Sequence, residues 1–252
     1  MVIETGFVIS NVKIASNIYS LTVELSKIAS IAKPGQFCNI KVSENNYPLL
    51  RRPFSIADVN STYITFIFNI VGEGTKILSL KKKGDMVNIL GPLGKGFNFS
   101  SKFETAVVIG GGLGAAPFPF LIKLLDPKVR VLSFIGGRTK DDLITFGMKN
   151  MFLSTDDGSA GLKGTVLDLV NQNKNLFQAD SSKIFACGPT PMLKAVKNYA
   201  DKNNIECELS VENVMACGFG VCQGCPIRKS NGEGYLLVCK DGPVFNALDI
   251  EI

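Results

Sequence analysis

The chain has no histidine and no tryptophan among its 252 residues. Without histidine it cannot supply a Ser-His or Cys-His nucleophile pair, a Rieske centre, a His-ligated haem or the usual mixed Cys/His zinc site. Redox or acid/base work must come from cysteines, carboxylates, lysines or a bound cofactor. Charge is sparse too: 19% of residues are charged, the net charge is +5, and no run of like charges exceeds Lys81-Lys82-Lys83. That triplet reads as a solvated turn, and no nucleic-acid partner is expected. The first six residues have neither a basic start nor an apolar run ending in small residues, so no secretory leader is expected. One long uncharged stretch, 105–122, is interrupted by Gly110, Gly111, Gly112, Gly114, Pro117 and Pro119. It suits a buried strand, a turn and a helix better than a membrane span, and the protein is expected in the cytoplasm with no membrane partner.

A 46% hydrophobic fraction is ample for a packed core, and the length points to two domains with a small appended module. The first hundred residues read as short strands (7–14, 18–24, 36–42, 63–69, 86–90) separated by turns, which predicts an antiparallel β-barrel. From 105 onward, apolar β-rich runs (106–109, 129–135, 183–186) alternate with helical segments, the clearest at 191–203. This is the pattern of an α/β sheet with parallel strands. A strand-like 205–211 then leads into a tail rich in glycine and cysteine. The expected division is 1–101, 102–206 and 207–252.

Four of the seven cysteines, Cys217, Cys222, Cys225 and Cys239, stand as C-x4-C-x2-C-x13-C. This is the loop spacing of plant-type [2Fe-2S] sites, with Gly218, Gly220 and Gly224 small enough to let the backbone wrap closely around sulfurs. A zinc knuckle would use two short paired units, and disulfides conflict with the missing leader. Cys38 alternates with Ile40 and Val42, and Cys207 with Ile205 and Leu209, so both are expected in cores. Cys187, before Gly188-Pro189 at a predicted strand end, is either a buried strand-end residue or a nicotinamide contact.

Residues 107–117 form a strand, a glycine turn and a helix start suited to a pyrophosphate. Gly110, Gly112 and Ala115 satisfy G-x-G-x-x-A, yet no acidic residue closes the next strand about 20 residues on to grip a ribose. Arg51-Arg52-Pro53-Phe54-Ser55 can pair an arginine with a diphosphate and a hydroxyl with a ring, or can simply be a strand with surface arginines. Gly72-Glu73-Gly74-Thr75 is open between a turn and a phosphate cradle. Gly136-Gly137-Arg138 suits a 2′-phosphate, whereas Asp141 and Asp142 discourage one.

Taken in order, these segments resemble the ferredoxin reductase family: Arg52-Pro53-x-Ser55 its flavin motif, Gly72-x-Gly74-Thr75 its flavin-phosphate turn, Gly110-Gly111-Gly112-x-Gly114 and Cys187-Gly188-Pro189 its nicotinamide-nucleotide motifs, and Pro34-Gly35-Gln36-Phe37 its barrel. The tail, Glu212 through Cys225 and Cys239-Lys240-Asp241-Gly242-Pro243-Val244-Phe245, resembles the electron-transfer subunits of two-subunit dihydroorotate dehydrogenases. The resemblance implies an FAD-binding barrel, an NAD-binding domain and a [2Fe-2S] module. It implies that electrons pass from a partner's FMN through the cluster and FAD to NAD as dihydroorotate becomes orotate in pyrimidine biosynthesis. Arg52, Pro53, Phe54 and Ser55 would contact FAD, with Asn69, Ile70, Val71, Gly74 and Thr75 completing its site. Phe54 stands where many of the family carry tyrosine. The implied partner is an FMN-containing catalytic subunit, two of each chain forming a heterotetramer, with Phe219, Val221 and Phe245 as expected interface anchors. The second reading is the small flavin/[2Fe-2S] subunit of a ferredoxin-dependent transhydrogenase or cytoplasmic hydrogenase. No catalytic acid or base for organic substrate is evident.

Overall fold

The computed structural model describes residues 1–43, 45 and 47–252. The N-terminal half is built from β1 (Val2–Ala15), β2 (Ile18–Glu24), α1 (Ser26–Ala29), β3 (Phe37–Lys41), β4 (Arg52–Asn60), β5 (Tyr63–Asn69), α2 (Glu73–Ser79) and β6 (Met86–Leu93). The six strands close an antiparallel barrel in the order β1-β2-β5-β4-β3-β6. Alternation fills it: Leu21, Val23, Cys38, Ile40, Ile56, Ile64, Phe66, Phe68, Val87 and Ile89 point inward and are fully buried. β4 is the strand that periodicity hides, because it opens on Arg52-Pro53; Pro53 takes its place opposite Asn39 although it has no N–H to donate.

The second half begins with β7 (Thr105–Gly111), α3 (Phe118–Leu124), β8 (Arg130–Gly137), β9 (Met151–Thr155), β10 (Leu162–Lys163), α4 (Val166–Gln172), β11 (Ser182–Cys187), α5 (Thr190–Lys202) and β12 (Glu206–Ser210). It ends with β13 (Pro226–Lys229), β14 (Tyr235–Leu237), β15 (Val244–Asn246) and β16 (Ile250–Glu251). A seven-stranded sheet runs β10-β9-β8-β7-β11-β12-β15, parallel except for the last pair. Its central strands are apolar on both faces, as burial on two sides requires: Ala106 and Val108 pack with α3, Val107 and Ile109 with α4 and α5. α5 turns Leu193, Val196 and Ala200 inward at helical spacing. β14, β13 and β16 make a separate small sheet. The boundary placed at 206/207 in the sequence falls at the start of β12, which belongs to the large sheet, and that sheet also takes in β15 from far down the tail.

Lys183 fastens the two halves together. Its side chain is wholly buried on β11, and Nζ donates to the Asn98 carbonyl at 2.6 Å while pairing with Glu206 at 2.6 Å and Glu208 at 3.4 Å. Glu208 in turn accepts from the Asn98 N–H at 2.9 Å, so the segment leaving the barrel is held at both its donor and its acceptor. No helix among the described residues is long and apolar enough to cross a membrane.

Candidate functional site

The four tail cysteines come together around a tight loop. The Cys222 N–H lies 3.4 Å from Cys217 Sγ, and the Cys239 N–H lies 3.4 Å from Cys225 Sγ. No three Cys, Asp or Glu side chains among the described residues gather for one metal ion. The thiols instead pair two and two, Cys217 with Cys222 and Cys225 with Cys239, an arrangement that suits two metal atoms better than one. Burial would raise the Cys217 thiol, but hydrogen bonds from the N–H groups of Cys222, Phe219 and Val221 prevail and hold it down at about 6. Burial pushes Cys239 up to about 12, and the adjacent Cys225 adds to the shift. Crowded thiolates repel one another unless cationic iron neutralises them, and backbone N–H donors aimed at sulfur stabilise the negative charge that remains on a thiolate-ligated cluster. Cys222 is exposed, Cys217 half-buried, and Cys225 and Cys239 are buried, so the cluster position opens to the surface on the Cys222 side. Phe219 and Val221 are exposed beside it. Phe245 is not: it is buried in β15 against the core of the sheet, because strand pairing with Leu209 turns it inward.

A second station lies at one end of the barrel. β4 brings Arg52, Pro53, Phe54 and Ser55 alongside the end of β5 at Asn69, followed by Ile70, Val71 and the start of α2. The Arg52 guanidinium rests against Gly74, where a Cβ would sit 2.9 Å from its Nε. Thr75 Oγ1 accepts from the N–H groups of Val71 and Gly72 at 2.9 and 3.2 Å and donates to the Gly72 carbonyl, fixing the turn. The Ile70 carbonyl is tied to Asn17 Nδ2 at 2.8 Å. The two sequence segments thus form one corner, a cation beside a turn with an exposed Val71, which fits a diphosphate and the ring attached to it. Phe54 is half-buried and packs on Phe68 with ring centroids 5.6 Å apart.

The third station is a crevice at the carboxyl ends of β7 and β11. The chain leaves β7 for β8 on one side of the sheet, and β11 is laid down on the other, so these two strands flank the topological switch point where open α/β sheets bind ligands. Gly110-Gly111-Gly112-Leu113-Gly114 and Cys187-Gly188-Pro189 pack directly on one another there. A Cβ at Gly114 would stand 2.5 Å from the Gly188 Cα and press into the Cys187 carbonyl, so only glycine allows this approach. Met192, which sequence patterning did not single out, caps both loops: its side chain lies against Gly111 and Gly188. The Cys187 thiol is buried, and burial together with the charge of Glu212 pushes it up to about 12 against a hydrogen bond with Ser210. It is a neutral wall of the crevice and not a nucleophile.

No acidic residue closes the end of β8, and Asp142, in the loop that follows, is engaged by Arg138. The chain beyond Gly137 turns back so that Asp142 accepts from the Arg138 backbone N–H at 3.2 Å and from its guanidinium at 3.0 and 3.2 Å. The hydrogen bond from Arg138 holds the Asp142 carboxyl below its usual range in spite of partial burial.

Comparison with known proteins fits this layout. The model of the iron-sulfur cluster binding domain of dihydroorotate dehydrogenase B matches residues 212–251. The chain is 36% identical over 263 residues to the dihydroorotate dehydrogenase B (NAD(+)) electron transfer subunit of Fusobacterium nucleatum, covering 100% of both. It is 40% identical over 256 residues to the protein of the same name from Bacillus pumilus, covering 97% of this chain and 96% of that one. Among solved structures it superposes on a chain of the NADH-dependent reduced ferredoxin-NADP oxidoreductase with a TM-score of 0.84 at 28% identity, covering 98% and 89%. A ferredoxin NADP+ reductase from Neisseria gonorrhoeae, solved with FAD and NADP, shares the fold at a TM-score of 0.67 and 14% identity, covering 80% and 91%.

Proposed function

Because the chain belongs to the electron-transfer subunits of NAD-linked dihydroorotate dehydrogenase B, we propose that it takes electrons from a catalytic partner that oxidises dihydroorotate and hands them to NAD. It is an oxidoreductase subunit of pyrimidine biosynthesis carrying FAD and an iron-sulfur cluster. Bound FAD exchanges hydride with a nicotinamide and single electrons with a cluster, so the protein's task is to hold three redox groups in order. Cys217, Cys222, Cys225 and Cys239 are the residues that would ligate a [2Fe-2S] cluster. Arg52 to Ser55, Asn69 to Val71, Gly74 and Thr75 would hold FAD; Gly110, Gly111, Gly112, Gly114 and Cys187 to Pro189 would hold NAD.

The observation that carries this reading is that the Cys217-Gly218 peptide rests on β3 at Asn39, the residue paired with Pro53 of the flavin motif. A cluster here lies one strand away from the flavin corner. We assign the barrel, 1–101, to flavin, 102–206 with β12 to nucleotide, and the remaining tail to the cluster. The partner is taken to bear FMN and to assemble as two copies of each chain, docking over Phe219 and Val221 beside the exposed Cys222. The protein is taken to work in the cytoplasm, a reading supported by a cluster and by thiols at Cys38, Cys187 and Cys207 that an oxidising compartment would endanger.

The test is assay of the isolated chain and of the complex. The chain alone should carry one FAD, two irons and two sulfides and reduce a dye with NADH but leave dihydroorotate untouched; the complex should reduce NAD with dihydroorotate. Dihydroorotate oxidation by the chain alone, or stoichiometric zinc without sulfide, overturns the reading.

A further inference from the structure

Asn39 is a polar residue where the barrel has no need of one. Its neighbours Cys38 and Ile40 point into the barrel core, so Asn39 faces outward, yet it is only 1% exposed because the cysteine loop covers it. Nδ2 donates to the Cys217 carbonyl at 3.0 Å. Gly218, at φ +78°, lies so close that a Cβ there would land on the amide nitrogen. The other half of the amide, Oδ1, is buried without a hydrogen-bond partner among the described residues. An aliphatic side chain would fill the same place without burying an unpartnered amide oxygen, so packing alone does not account for an asparagine; what the amide adds is its bond to the Cys217 carbonyl.

We infer that Asn39 is a positioning residue for the cluster, a barrel side chain that sets the cluster's electron affinity from the flavin side. The peptide after Cys217 is planar and trans, so holding its carbonyl toward the barrel fixes the start of the loop and the direction of the groups that follow. Those groups are the Phe219, Val221 and Cys222 N–H donors aimed at Cys217 Sγ. Such donors stabilise the extra negative charge of a reduced cluster, so their alignment raises its potential. The same residue reaches the flavin strand through its backbone: Asn39 pairs with Pro53, and its carbonyl accepts from Arg51 Nη1 at 3.3 Å. One residue of β3 thus touches both the segment assigned to flavin and a cysteine assigned to the cluster.

This inference rests on the assignment of the four cysteines to a [2Fe-2S] cluster, and a parent protein without iron and sulfide would refute that assignment instead. Two variants of the full chain separate hydrogen bonding from packing. Asn39→Asp keeps the shape but turns a carboxylate on the Cys217 carbonyl; Asn39→Leu removes the amide altogether. Both should keep FAD and reduce ferricyanide with NADH within about twofold of the parent rate. In both, the reduced cluster should be disfavoured about tenfold, which for one electron is a midpoint about 59 mV more negative, with an altered electron paramagnetic resonance signal. Loss of iron with flavin retained also supports the assignment. An unchanged midpoint and signal in both variants, or loss of flavin and iron together, overturns it.

Discussion

Asp142 holds Arg138 in a closed pair, its Oδ2 taking Nε at 3.0 Å and its Oδ1 taking Nη2 at 3.2 Å. The pair sits beyond the carboxyl end of β8, the strand next to β7, whose glycine loop is proposed to hold the dinucleotide. Arg138 is the side chain there that suits a 2′-phosphate, and the carboxylate keeps it occupied. Asp142→Ala should therefore raise kcat/KM for NADPH about tenfold while NADH is affected much less; dye reduction with each nucleotide measures it. Adding Arg138→Ala should abolish the gain. A depressed carboxyl value means that the pair is intact above the ordinary Asp value of about 3.9 and fails only in stronger acid, so the preference for NADH should stay constant between about pH 6 and pH 9.

Lys183→Met should cost about 3 kcal/mol in denaturant unfolding, because it leaves Glu208 buried without its cation. Burial already raises the Glu208 carboxyl, against the opposing pull of Lys183. With that pull removed, the folded variant keeps a proton that the unfolded chain has released. Its stability should then fall as pH climbs from 4.5 through the raised value, and the deficit should be smaller at pH 5 than at pH 8.

Gly114→Ala should close the nucleotide crevice. The new methyl meets the Gly188 Cα and the Cys187 carbonyl, and both are backbone atoms that cannot swing aside. KM for NADH should rise about tenfold or more, with flavin content unchanged, read by steady-state dye reduction and by the flavin absorbance of the purified protein.

Cys225→Ser should strip iron and sulfide while NADH-to-ferricyanide turnover persists, since the corner at Arg52 and the crevice at Gly114 use no atom of the cysteine loop. Metal and sulfide analysis beside the dye assay checks it. Loss of both activities would mean that the loop holds the flavin corner in shape.

The barrel, the parallel sheet and the cysteine spacing were legible because each rests on a short-range pattern: alternation of period two in Cys38 and Ile40, unbroken apolar runs such as 106–109, and fixed gaps between thiols. What escaped depends on distant chain segments meeting. Asn39 looks like a polar interruption of a strand until the tail, 178 residues later, lies over it. Phe245 follows a turn in a polar, glycine-bearing stretch and reads as exposed, but its place is set by pairing with Leu209. Lys183 begins a predicted strand with a charge, and nothing nearby in sequence announces that Glu206, Glu208 and Asn98 will surround it.

β15 has a consequence for how this protein can be cut. It comes from beyond the last cysteine, yet it lies antiparallel against β12 and completes the rim of the sheet that carries the nucleotide crevice. A chain shortened at the start of the cysteine segment would not be a clean flavin reductase lacking one module. It would bare one edge of β12 along Glu208, Leu209 and Ser210, still paired with β11 on the other side but open to pairing with another molecule and so to aggregation. The cluster segment is sewn into its host, and a working reductase without a cluster is better made by changing the thiols than by removing the tail.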